Sequence, residues 1–486
     1  MPPPHAEGKD LLPALDHIVR VSAGDPLLRP HQMIMTGDQI YADNVSDPLL
    51  VMIQQASAGL GMAAETLPAE GDPADTALRP GLRQDVLLKQ AHFTSGHCDS
   101  HLMSFREYVG MYLMVWSDVL WTGPVPRFED VFPEDTAILK DPARRKPGED
   151  VYRLIVQGLP YRPFKHQKAI AERFERWREE APVLEEFREG LSLVRRALAN
   201  VPTYMVFDDH DVSDDWNMST EWITKAVIAD GLGRRVVRNA LAAYAVFQHW
   251  GNTPERFADG TPGRAVLGAL ERWLAAPGAA DDAALRTGLG LPLELKYGVQ
   301  VKPPAPDMLT YHYTITWPRY QLVVLDTRTW RRYVGNRGVL LLDDGPIDAM
   351  VAAEPPLGDD AVTIVAQPTA FLGVPVVEQI VQPLAKAWGG RYEADAEDAW
   401  FHDDASLHKM IGRLCAAAQK DADGVRRRSS SCSAGTSTTA SRSGRGTRRC
   451  CRTRADPTGP SRTRARTGRR RCSPRSSPAR CAMRPA

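Results

Sequence analysis

Cysteine is nearly missing from the first 424 residues of this chain: Cys98 and Cys415 fall there, while Cys432, Cys450, Cys451, Cys472 and Cys481 crowd the C-terminal end. Two cysteines so far apart make neither a disulfide framework nor a local thiolate site, so a metal held here takes oxygen and nitrogen ligands. Long apolar runs are missing too. No stretch of eighteen or more apolar residues occurs, which argues against a membrane-spanning helix. The opening Met1-Pro2-Pro3-Pro4-His5 lacks the basic and apolar regions of a secretory signal, and the chain is expected to be soluble and cytoplasmic. The third shortage is local. Residues 425–486 hold 18 of the 60 basic side chains and one acid, Asp456, so this tail carries +17 and the preceding 424 residues −17. That balance argues against a nucleic-acid surface on the main body.

What is present is a globular composition, 486 residues with 43% hydrophobic and 7% aromatic side chains. Four short apolar runs stop abruptly at polar residues, as buried strands do at the edge of a sheet. Residues 31–36 run into Gly37-Asp38, 202–207 into Asp208-Asp209-His210, 320–325 into Asp326-Thr327-Arg328, and 361–366 into Gln367-Pro368. Chemistry is expected at those ends. Between them, Leu102, Phe105, Tyr108, Tyr112, Val115, Trp116 and Val119 recur at three-to-four spacing, the core stripe of a helix expected to start at Asp99-Ser100. Residues 165–200 read as a charged long helix or helical hairpin, 221–250 as an amphipathic region, and 405–420 as a terminal helix. His92, His97 and His101 flank Cys98 without tetrahedral zinc spacing and read as a polar loop; Asp395, Glu397 and Trp400 receive no chemistry.

The first informative stretch is Gly37-Asp38-Gln39-Ile40-Tyr41-Ala42-Asp43. A strand feeding a glycine turn aims Asp38 out of the sheet edge as a hard oxygen ligand, and Tyr41 can turn back to the same point. Alone, this would be read equally well as a plain turn. The second stretch, residues 207–217, packs five aspartates, His210 and Asn217 behind a buried run. Carboxylates this dense repel one another unless cations or hydrogen bonds hold them. A solvated acidic loop is the ordinary alternative, and Trp216 argues for a packed one. Together the loops suit a two-metal phosphoester site, with Asp38 bridging, Asp209 a ligand, and His210 a donor to the phosphoryl oxygen or leaving group. Spacing does not decide which of Asp208 and Asp209 faces the metals.

These stretches, with Leu325-Asp326-Thr327-Arg328, resemble the PhoD-like alkaline phosphatases/phosphodiesterases of the calcineurin-like metallophosphatase superfamily, over roughly residues 5–424. The resemblance implies an α/β fold, a four-layer αββα sandwich of two sheets between helices, here with helical insertions and incomplete at both ends. It also implies a mixed metal centre, iron with calcium, acting on small-molecule phosphomonoesters or phosphodiesters. By position, Asp38 and Tyr41 match metal ligands of the family, and Asp208, Asp209 and His210 its second metal-binding and acid motif. Arg328 is a candidate phosphate contact. A Ser-Cys ligand motif before the first strand and a late Ser-Gly-Asp-Val-His motif, both expected of the family, are not found, so this chain is expected to be impaired.

From Val425 onward large apolar residues almost vanish and no core can form. A basic arm is one reading; a shift of coding frame explains more. With serine as TCN and the codons read one base early, Ser429-Ser430-Ser431-Cys432-Ser433 become NTC, NTC, NTC, NTG and NTC, all apolar. Ala434 to Thr439 then become NGC, NGG, NAC, NTC, NAC and NAC, which permit Ser-Gly-Asp-Val-His-His. Residues 425–486 are thus expected to be a frameshifted, disordered tail whose loss of an inner strand bares the sheet. The competing readings are a non-catalytic, metal-stabilised binding module and a nucleic-acid-binding protein acting through the tail.

Overall fold

All four apolar runs are strands in the computed structural model. It describes residues 10–69, 78–141, 168–229, 231–292, 294, 307–334, 337–340, 344–351, 362–370, 404–418 and 430–432. The strands are β1 Met33–Met35, β2 Thr203–Met205, β3 Tyr313–Trp317, β4 Tyr320–Val324, β5 Arg332–Val334, β6 Arg337–Leu340, β7 Val362–Ala366 and β8 Ser430–Cys432. The principal helices are α1 Leu12–Val21, α2 Asp47–Gly59, α3 Phe105–Val115, α4 Lys168–Leu198, α5 Leu232–Tyr244, α6 Pro262–Ala275, α7 Ala279–Gly288, α8 Asp344–Met350 and α9 Asp404–Ala418. One compact unit spans Met1–Thr438; the second, Thr439–Ala486, lies outside the described residues. Residues 395–400 lie outside them as well. No helix among the described residues is long and apolar enough to cross a membrane.

The chain is α/β. β1 pairs in parallel with β2, and β3-β4-β7-β8 form a second sheet in which only the β3–β4 pair is antiparallel. Successive residues of β4 serve opposite faces, as the two-residue period of a strand dictates. Leu322 and Val324, with Tyr313 and Ala366, meet Ile34, Tyr204 and Val206 of the smaller sheet. On the other face Val323, Leu325 and Val365 meet Ile347, Met350 and Met410 of α8 and α9. Helices, sheet and sheet are therefore stacked through two apolar layers. Asn252 closes the β2 backbone, its Oδ1 accepting from Met205 N at 3.0 Å and its Nδ2 donating to Met205 O at 2.8 Å.

The largest core lies among the helices, around Tyr108, Tyr112, Trp216 and Tyr244. Residues 168–198 are one helix of 31 residues, which resolves the choice between helix and hairpin. The expected helix start at Asp99-Ser100 is corrected: α3 begins at Phe105, because Glu107 Oε2 accepts the backbone N–H of Ser104 at 3.1 Å and of Met103 at 2.9 Å, satisfying donors that an N-terminus leaves open. Glu107 is 3% exposed and ion-paired with Arg83 at 2.7 Å. Burial opposes its charge, yet the Arg83 guanidinium outweighs burial and holds the carboxyl down to about 2. A depressed carboxyl stabilises the fold above its ordinary value and loses that contribution as pH falls toward the folded one, here about 3 kcal/mol between roughly pH 4.5 and 2. Glu107→Gln is expected to be less stable than the parent at pH 6, with the gap closing by about that amount at pH 2. Urea midpoints across this range would refute the assignment if the gap stayed constant.

Candidate metal centre

β1 and β2 end side by side, so the loops that follow them meet. Asp211 fastens one loop to the other: its carboxylate accepts the backbone N–H groups of Gln39 at 3.2 Å, Ile40 at 3.3 Å and Asp208 at 2.9 Å. Ala42 N donates to His210 O at 2.7 Å, a second clasp. Trp216 is 1% exposed and packs edge-on against Phe207, so the acidic loop is a packed one.

Asp38 stands at a φ of 26°, in the left-handed region where a side chain costs about 1 kcal/mol and where functional residues concentrate. Both its carboxylate oxygens are shut off from solvent, and the Tyr41 phenol is the group set to hydrogen-bond to them. Burial first, and then the charges of Asp208 and Asp209, push this carboxyl well above its ordinary value. Ligand atoms of Asp38, Asp209 and His210 all lie within 4.8 Å of one another. A solvent-shielded carboxylate beside a second carboxylate is an oxygen donor pair that fits a hard cation, with the His210 ring next to it.

His210 Nδ1 is 2.9 Å from Asp43 Oδ1 and 3.1 Å from Oδ2, which leaves Nε2 for the group. Burial disfavours the imidazolium, but Asp43, Asp209 and Asp38 together hold the ring charged up to about 12. Asp43 is itself braced by Ser95 Oγ at 2.9 Å and the Asp214 N–H at 3.1 Å. The Tyr41 ring lies 4.7 Å from His210, and burial, then Asp38, raise its phenol well above the usual range. Asp214 is pushed up to about 8, by burial and then by Asp43. Seven carboxylates, counting Asp215, thus crowd a region whose near cations are His210 and Arg328.

Sequence reasoning named Asp38, Tyr41, Asp209 and His210, and the structure brings them together. Asp208 also lies beside Asp38, but it is outside the group of donor atoms within 4.8 Å: Arg328 Nε contacts Asp208, and its Nη2 lies 3.2 Å from Asp209 Oδ1. Arg328, the candidate phosphate contact, is 4% exposed and is the buried counter-ion of Asp208 and Asp209. Three residues with evident roles were quoted without one: Asp43, Asp211 and Asp214. The only signal for Asp43 was its place in the Gly37–Asp43 motif. No family model, curated protein or solved structure matches the chain.

Proposed function

We propose that this chain is a metal-dependent phosphoester hydrolase, the activity its resemblance to the PhoD-like phosphatases implies. The observation that carries the reading is the Asp38 carboxylate, solvent-shielded and with no cationic partner of its own, within 4.8 Å of donor atoms on Asp209 and His210. Asp38 and Asp209 would hold a cation, with Tyr41 beside them; iron and calcium both accept such oxygen donors. A bound cation supplies Lewis-acid polarisation of a phosphoryl oxygen. Asp43 fixes the imidazole through Nδ1, so His210 presents Nε2 and gives its proton to the departing ester oxygen. Arg328 compensates Asp208 and Asp209, and Asp211 keeps both loops in register. A purely structural cation site is the alternative, and the Asp43–His210 pair speaks against it, since such a site has little use for an oriented imidazole. The helix–sheet–sheet order is compatible with a four-layer αββα sandwich, which belongs to the same proposal.

The frameshift is part of it too. Ser430-Ser431-Cys432 pair in parallel with Thr363-Ile364-Val365, one strand beyond β7. Three of the residues that the alternative frame would make apolar thus stand beside the apolar β7, which supports the frameshift. The strand expected to be missing from the sheet is thus filled by the residues as they stand. Sequencing the gene across codons 415–445 tests this: an uninterrupted frame through the Arg/Ser tail would sink it.

The activity test uses bis(p-nitrophenyl) phosphate and p-nitrophenyl phosphate, with the chain as it stands and with residues from 429 onward in the alternative frame. Hydrolysis is expected with iron and calcium, and Asp43→Asn is expected to lower kcat by about 100-fold or more while bound metal is retained. Release of product from neither protein would refute the hydrolase reading.

A further inference from the structure

A second charged region lies at the N-terminal end of α5. Here α5, α6 and α7 enclose a cavity of about 490 Å³, a size that suits a small ligand. Arg234, Arg235, Arg238 and Arg286 line it, together with one carboxylate, Asp282, and with Trp273, Gly231 and Gly278. Those glycines are the N-caps of α5 and α7, and neither helix has a side-chain cap hydrogen bond. Two helix N-termini, each with open N–H groups and the positive end of its dipole, thus converge on one cavity.

Arg238 is the independent observation. It is 1% exposed, stacked 4.0 Å from the Trp273 ring centre, and its Nη1 contacts Asp282 while its Nη2 donates to Asn239 Oδ1 at 2.6 Å. Its Nε is buried with no hydrogen-bond partner. Arg235 and Arg238 share Glu65, and Arg235, Arg238 and Arg286 share Asp282. Arg234 donates to the carbonyls of Val227 and Ile228. Burial lowers Arg238 to about 10, against the opposing pull of Glu65 and Asp282.

We propose that this cavity is a binding site for a small phosphate-bearing anion, separate from the acidic centre and independent of it. Planar guanidinium groups and helix N-termini are the two devices that recognise phosphate oxygens, and both are present. Binding does not require a cation, since the charge is supplied by the arginines themselves.

The test is equilibrium dialysis of the full chain, in EDTA, against radiolabelled inorganic phosphate. Saturable binding of one phosphate per chain is expected in the parent and in Asp209→Asn. Gly278 has φ −140°, and a Cβ there meets only Ala276 O at 3.8 Å, so Gly278→Asp builds in a competing carboxylate while improving the N-cap and keeping the fold. It is expected to weaken phosphate binding by about tenfold or more, as is Arg235→Gln. Competition by glucose 6-phosphate separates the two sources: displacement below the concentration needed with phosphate itself indicates a phosphomonoester, and weaker displacement indicates free phosphate. No saturable binding in EDTA overturns the proposal. So does binding lost in Asp209→Asn but kept in Gly278→Asp, which would assign the phosphate to the acidic centre.

Discussion

Arg328→Met is expected to destabilise the chain by about 3–5 kcal/mol, the largest single effect of any substitution at this site. The guanidinium compensates two buried carboxylates at once, Asp208 and Asp209, which are 2% and 3% exposed. Removing it leaves both beside Asp38, in a region already rich in aspartate. Methionine fills much of the same volume, so lost packing contributes little and the loss reports charge. Adding Asp208→Asn to Arg328→Met is expected to restore a large part of the stability, because the neutral amide no longer needs a counter-ion. Urea midpoints of the parent, the single and the double variant measure this. A loss under about 1 kcal/mol would show that the two carboxylates are not held as charges by Arg328.

Asp38→Asn is expected to do the reverse. In the metal-free chain Asp38 is shielded from solvent, faces Asp208 and Asp209 and has only the Tyr41 phenol to donate to it, so its ionised form works against folding. The amide removes that repulsion, and a φ of 26° is one that Asn tolerates as well as Asp, so the turn is kept. In EDTA the variant is expected to be more stable than the parent by about 1–3 kcal/mol. Added cation should then raise the parent's melting temperature and leave that of the variant nearly unchanged, since a ligand stabilises only the state that binds it. The two proteins should therefore exchange order between EDTA and saturating cation. A variant less stable than the parent in both conditions would mean that the Tyr41 hydrogen bond to Asp38 outweighs the repulsion from Asp208 and Asp209.

Much of the frame was legible because β1, β2, β4 and β7 are continuous apolar runs cut off by polar residues, the signature of strands buried on both faces. β3 was overlooked although Tyr313, Ile315 and Trp317 alternate with two threonines, the period-two signal itself. The four-residue β6 carries no comparable run. β8 is a different case. Ser430-Ser431-Cys432 have no apolar pattern, and nothing in the residues as written predicts a strand. At the acidic centre, Asp38 and His210 could be named from local motifs. The choice between Asp208 and Asp209 could not, because it depends on Arg328, which approaches from another sheet. Asp43 was equally hidden: its partner His210 lies 167 residues away, and only the meeting of the two loops joins them.

Cation binding tests the central claim most directly. Full chain stripped with EDTA would be dialysed against calcium and, anaerobically, against ferrous iron, and bound metal counted by mass spectrometry for the parent, Asp38→Asn, Asp209→Asn and Gly278→Asp. The expected result is cation bound tightly by the parent and by Gly278→Asp, and lost from both aspartate variants. Cation retained undiminished in Asp38→Asn and Asp209→Asn, or bound by none of the four proteins, would contradict a metal centre at Asp38, Asp209 and His210.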